Sequence, residues 1–167
     1  GEVLHITDQA IKEGSSTAMI IVMPDAMAGK RGYFNQPDGK WNYEDFFFNE
    51  LMPHVEKKYR IKSEKRFRAI AGLSMGGGGS FMYAMHRPEL FSSACPLSAY
   101  IGPLSVDDFK NQLQRMNSKV TDEAKIQAYF ENHNAVSLIE NTEVEKLKSV
   151  RWFIDCGDDD FLYEGNS

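Results

Sequence analysis

Ser74 stands between Gly72 and Gly76 in the string Ala71-Gly72-Leu73-Ser74-Met75-Gly76-Gly77, and a hydroxyl in that setting is equipped to attack a carbonyl carbon. Serine at its ordinary pKa is a weak nucleophile, so this chemistry calls for a histidine base that is itself oriented by a carboxylate. The spacing Gly-x-Ser-x-Gly matches the nucleophile elbow, a strand-to-helix turn that holds its serine in a sparsely populated backbone conformation. Side chains two positions before and two after the serine would collide in such a turn, and glycine at 72 and 76 removes both collisions. The hydroxyl is then pushed out above the sheet edge. The helix that follows aims its dipole and free N–H groups at the same place, with the backbone N–H of Met75 set to stabilise a developing oxyanion.

Two rival readings of these glycines fail on spacing. A phosphate loop needs Lys and then Ser or Thr after its last glycine, whereas Gly79 is followed by Ser80 and Phe81. No glycine triplet between Gly72 and Gly79 has the one-then-two spacing of a dinucleotide fingerprint.

The neighbouring elements have the character the turn requires. Phe67 to Ala71 is a short, mostly apolar run of the buried parallel-strand kind, and Phe81 to His86 reads as helix. Candidate bases are scarcer. The order that accompanies a nucleophile elbow is Ser, then Asp or Glu, then His, yet His5, His54, His86 and His133 all precede the acidic run Gly157-Asp158-Asp159-Asp160. His86 lies 12 residues beyond Ser74 on one helix, about 18 Å of rise away. His54 belongs to a scaffold helix and His5 to an N-terminal one, which leaves His133 as the histidine able in principle to fold over the site.

The string Ala71 to Gly78, preceded by Met19-Ile20-Ile21-Val22-Met23-Pro24 and followed by Phe153-Ile154-Asp155-Cys156-Gly157-Asp158-Asp159-Asp160, resembles the esterase D and feruloyl esterase group of α/β-hydrolases. The likeness runs from about Ala18 to Asp160. It implies an α/β fold with a mostly parallel sheet and helices on both faces, truncated at both ends, and a triad whose acid is Asp160, with Asp158 and Asp159 as alternates. The family's histidine follows a later strand, so the resemblance places the base outside these residues and makes the chain the middle of a larger hydrolase. It implies small acyl or aryl esters as substrates, feruloyl or acetyl esters of plant polysaccharide among them, and it leans toward an exported protein. Acyl transfer to an alcohol or sugar, and an inactive piece that works only by association through exposed sheet edges, are the other readings.

In chain order, residues 1 to 14 suggest a helix ending near Gly14, and Ala18 to Met23 is an unbroken apolar run expected as a strand buried on both faces. Asp25 to Asn42 is long for a connection and carries Tyr33, Phe34 and Trp41, which are expected either to line an acyl or alcohol pocket or to pack the loop down. Tyr43 to Tyr59 shows a helical stripe with Pro53 as a kink or break. Ser93 to Ala99 is the next strand, with a bulge or frayed end at Pro96. The segment 101–147 reads as a helical insertion, either a partial lid or simple cover for the sheet, and Val150 to Cys156 returns to a strand.

At 167 residues the chain is expected to be a single, partial domain. Its formal charge of −5 disfavours a nucleic-acid partner, and interleaved acids such as Glu56 and Glu64 weaken that reading of the basic residues near 57–66. No apolar run approaches membrane-spanning length. Two cysteines, Cys95 and Cys156, are too few for a zinc cluster and read as core thiols; neither a metal nor any other cofactor is expected.

Overall fold

Parallel strands need long crossovers, and this chain supplies them as helices. The computed structural model describes residues 2–26 and 32–166. Helix α1 (Val3–Lys12) comes first, then α2 (Tyr43–Phe46), a π-helical turn (Phe47–Leu51), α3 (Met52–Lys58) and a 3-10 turn (Lys65–Phe67). Strand β1 (Ala69–Leu73), α4 (Met75–His86) and β2 (Ser93–Leu97) follow, then α5 (Val106–Arg115), α6 (Glu123–His133), α7 (Ala135–Asn141) and α8 (Val144–Lys148). The chain ends with β3 (Arg151–Trp152) and α9 (Tyr163–Asn166). The strands lie in the order β1-β2-β3, all parallel, with Ala69 opposite Ser93 and Leu73 opposite Leu97.

Helix α4 is the core of the molecule, buried continuously from Gly77 to Met85. Tyr83 and Ala84 pack with Phe48, Phe91, Ala94 and Val150, while Phe81, Met82 and Met85 pack with Ala135, and Trp152 touches both groups. Glycines early in this helix cost about 1 kcal/mol each relative to alanine in a helix interior. Close approach offsets that cost. A Cβ on Gly77 would lie 2.6 Å from the Leu97 carbonyl oxygen, one on Gly78 would lie 2.0 Å from that of Tyr100, and one on Gly79 would press on the Tyr33 ring. On the face of the sheet turned away from α4, Leu73 and Phe153 are 67% and 62% exposed.

Several expected elements are met. Helix α1 ends with Gly14 at φ 76° and the Ser15 N–H bonded to the Ala10 carbonyl, the left-handed stop that glycine allows. In the segment 101–147, Ser105 and Asp122 cap α5 and α6 by accepting from the N–H groups of Asp108 and Lys125. Pro53 lies in the first turn of α3, directly after the π-helical turn. That wider turn takes up the missing hydrogen bond of proline without ending the helix.

Two expectations change. The run 18–23 is not a strand: Met19 to Met23 are 37–62% exposed and no ladder among the described residues includes them. An apolar run becomes a strand only where a neighbour supplies partners, and that dependence is invisible in the run itself. Pro96 makes no bulge, since it sits opposite Gly72 in unbroken register. Its effect is on the other side. The Ala94 and Pro96 carbonyls accept from Phe153 and Asp155, so the absent N–H of Pro96 faces β3, whose ladder stops at Trp152 and resumes as a bridge between Leu97 and Asp155.

Among the described residues no helix is long and apolar enough to cross a membrane. The packing of α4 predicts opposite outcomes at two glycines two positions apart. Gly78→Ala is expected to lose about 3 kcal/mol because its Cβ meets backbone, whereas Gly76→Ala stays within about 1 kcal/mol of the parent. Urea denaturation midpoints of the two variants check this, and equal midpoints would remove the close-approach explanation.

Candidate active site

Ser74 joins β1 to α4 at φ 56° and ψ −116°, a conformation that side-chain-bearing residues rarely adopt. Three backbone bonds hold it there: its N–H donates to the Leu97 carbonyl (3.0 Å), and its carbonyl accepts from Gly78 (3.0 Å) and Tyr100 (2.9 Å). The residue is exposed and its side chain makes no capping bond to α4. The hydroxyl is therefore presented at the carboxyl end of β1. The first N–H groups of α4, beginning with Met75, have no carbonyl of their own helix to bond and point toward the same end. Of the two glycines expected to relieve collisions, Gly72 does so, since a Cβ there would lie 2.0 Å from the Gly76 carbonyl oxygen. Gly76 does not: a Cβ at 76 would meet nothing nearer than the Tyr33 hydroxyl at 4.0 Å. The crowding comes from the backbone of residue 76, not from the direction its side chain would take.

Asp160 lies on the same edge of the sheet. Leu73 and Leu97 are register partners, Ser74 and Ser98 are the next residues beyond them, and the Ser98 side chain lies near enough to the Asp160 carboxylate to favour its ionised form. The Leu162 N–H donates to Asp160 Oδ1 at 2.9 Å. That backbone donor, followed by Ser98, holds the Asp160 carboxyl below the ordinary aspartate range. Asp158 and Asp159 are exposed, whereas Asp160 is half-buried. Ser98 was not singled out from the sequence; its φ of 39° and its place one residue past β2 are the features that mark it, and neither shows in the residue string.

The three aromatics of the long loop separate. Tyr33 lies over the first turns of α4, with its ring against Gly79 and its hydroxyl nearest Gly76. The carbonyl of Tyr33 accepts a hydrogen bond from the Tyr83 hydroxyl, which fastens the loop to the core. Trp41 braces the loop from outside: its indole N–H donates to the Gly32 carbonyl at 2.8 Å and its ring stacks on Tyr43. Phe34 points inward, edge-on to Tyr83 and His133. Tyr33 and Trp41 thus border the elbow helix and its loop, and Phe34 is a packing residue. Among the described residues no three His, Cys, Asp or Glu side chains gather as a metal site, and Cys95 and Cys156 are free thiols.

Residues 2–166 match the family described as "Putative esterase". The chain belongs to this esterase family. An esterase of Mycobacterium tuberculosis (strain CDC 1551 / Oshkosh) is 39% identical over 92 residues, which is 53% of this chain and 19% of that protein. An endo-1,4-beta-xylanase/feruloyl esterase of Xylanibacter ruminicola is 34% identical over 91 residues, 52% of this chain and 12% of the relative. A solved ferulic acid esterase superposes with a TM-score of 0.76 at 33% identity, covering 99% of this chain and 61% of the other. This esterase-family chain thus spans less than two thirds of each of these relatives, and its architecture is that of the α/β-hydrolases.

No histidine of the esterase chain stands beside Ser74. His133, the candidate from the sequence, lies at the far end of α4 with its ring stacked on Tyr129 (3.9 Å between centroids) and edge-on to His86 (5.4 Å). His86 is held between Glu44 Oε1, 2.7 Å from its Nδ1, and the Asn132 carbonyl, 2.7 Å from its Nε2. A carboxylate and a carbonyl only accept, so this geometry asks both ring nitrogens to donate and favours the imidazolium. Burial alone would lower the pKa of His86, but the bond and charge of Glu44 and the Asn132 carbonyl outweigh it and raise it. Burial lowers that of His133, and the neighbouring His86 adds to the effect. A histidine raised above its unfolded value stabilises the fold fully below that value, 6.5, and loses the contribution as pH rises through the folded value. His133 acts in the opposite sense. Glu44→Gln is therefore expected to destabilise the protein most below pH 6.5 and progressively less as pH rises. Urea midpoints of parent and variant between about pH 5.5 and 9 check this, and a gap that does not change with pH would refute it.

Proposed function

We propose that the protein is a serine carboxylesterase in which Ser74 is the nucleophile, the Met75 N–H helps hold the oxyanion and Asp160 orients the histidine base. The observation that carries this reading is the exposed, uncapped Ser74 at positive φ between β1 and α4. The Ser74 hydroxyl adds to the ester carbonyl as its proton passes to the histidine, giving a tetrahedral oxyanion at the N-terminus of α4. Collapse expels the alcohol, which takes that proton, and water then releases the acid by the same route. With the four histidines placed elsewhere, the base in this reading comes from outside residues 1–167. Asp160 supports the scheme because its carboxyl is held ionised on the same sheet edge as Ser74.

The substrate class we infer is small acyl or aryl esters, with feruloyl or acetyl esters of plant polysaccharide as natural examples. Support comes from the ferulic acid esterase and the xylanase/feruloyl esterase to which this chain is similar. Tyr33 offers aromatic surface beside the elbow helix. An acyl acceptor other than water uses the same groups.

A fluorophosphonate applied to the full-length protein should label Ser74, read as the mass shift of the peptide that contains it; labelling elsewhere, or none, sinks the assignment. Asp160→Asn should lower kcat by about 10⁴-fold with the label still able to bind. Tyr33→Ala should raise KM for aryl esters more than for acetyl esters. Unchanged specificity constants for both ester types would take Tyr33 out of the pocket.

A further inference from the structure

The nucleophile and the acid proposed above lie on segments that no ladder joins directly, so something else must set their spacing. We propose that Asn166 is a positioning residue for the reaction, fixing the loop that carries Asp160 onto the segment that anchors Ser74. The inference rests on the reading of Ser74 and Asp160 given above.

The carboxamide of Asn166 treats Ala99 as a neighbouring strand would. Its Oδ1 accepts from the Ala99 N–H (3.1 Å) and its Nδ2 donates to the Ala99 carbonyl (2.9 Å). The second Nδ2 hydrogen goes to the Leu162 carbonyl at 2.8 Å, so the amide has both of its donors engaged. Leu162 is the residue whose N–H grips Asp160 Oδ1. On the other flank, Ala99 sits between Ser98, whose side chain lies near Asp160, and Tyr100, whose N–H bonds the Ser74 carbonyl. Ala99 also lies against Gly77, where an added Cβ would come within 2.9 Å of its Cα.

The result is one short relay. Ser74 is tied to Tyr100, Ala99 to Asn166, and Asn166 through Leu162 to Asp160. Helix α9 buries no residue, so its attachment here depends on these directed bonds more than on packing. An aspartate at 166 would keep the bond from the Ala99 N–H but set an acceptor against the Ala99 and Leu162 carbonyls. An alanine would remove all three bonds. Displacing the acid in this way slows the chemical step while leaving substrate binding nearly intact.

The test is a double-mutant cycle in the full-length protein with 4-nitrophenyl acetate as substrate, each variant also being followed by circular dichroism and thermal melting. Asn166→Ala and Asn166→Asp should each lower kcat by about 10- to 100-fold with KM little changed. In an Asp160→Asn background the same substitutions should change kcat by less than about twofold, because Asn166 acts only through the acid. Either parent-level kcat in the single variants or an equal loss in the Asp160→Asn background overturns the proposal, the latter by showing a general structural effect. Asn166→Asp serves if the alanine variant fails to fold. Failure of the catalytic reading has its own signature, an Asp160→Asn enzyme as active as the parent, and that result overturns both.

Discussion

The contact on which this structure depends is the one between the glycine-rich start of α4 and the backbone that leaves β2. Gly77 and Gly78 allow helix and strand end to meet at distances no side chain would permit, with the Leu97 and Tyr100 carbonyls in the space a Cβ would fill. Three consequences follow from that single approach. Ser74 is gripped at both its N–H and its carbonyl, which maintains a backbone conformation that would otherwise relax. Helix α4 lies deep enough to bury every residue from 77 to 85. The segment 98–100 is brought within reach of the acidic loop as well.

What could be read from the residue string was what depends on near neighbours. The elbow is legible because the conflict at Gly72 involves a residue only four positions away, and helices α5 and α6 are legible because their caps, Ser105 and Asp122, adjoin the turns they serve. The same local logic assigned Gly76 a role that belongs to its backbone. Features that depend on distant partners stayed hidden. Glu44 and His86 meet across 42 positions, and Asn166 and Ala99 across 67, with no pattern in either neighbourhood to announce them. The run 18–23 failed as a strand for a related reason, since apolar character marks what a strand prefers and not whether a partner is present.

The two ends of α4 divide the work. Its N-terminus faces the proposed chemistry, and its C-terminus holds α6 and α2, through His86 clasping the last turn of α6 at Asn132 and Glu44 of α2. The Tyr129 hydroxyl of α6 donates to the Asn35 carbonyl at 2.6 Å, so α6 also grips the aromatic loop that lies over the elbow helix. Loop, segment 101–147 and core helix are thus joined by directed polar bonds among packed aromatic rings. Polar groups so placed specify one arrangement more sharply than apolar contacts do, because each misplacement strands a donor or acceptor.

Pro96 has a further consequence for how such an architecture can vary. Because it withholds a donor from the side facing β3, the chain beyond Trp152 is attached by separate bonds at Phe153 and Asp155 and not by a continuous ladder. The arm that carries the acid is in that sense modular. Residues could be gained or lost between 156 and 160 without shifting the register of the remaining sheet, leaving the reach of the Asp160 carboxylate adjustable while Ser74 keeps its fixed seat.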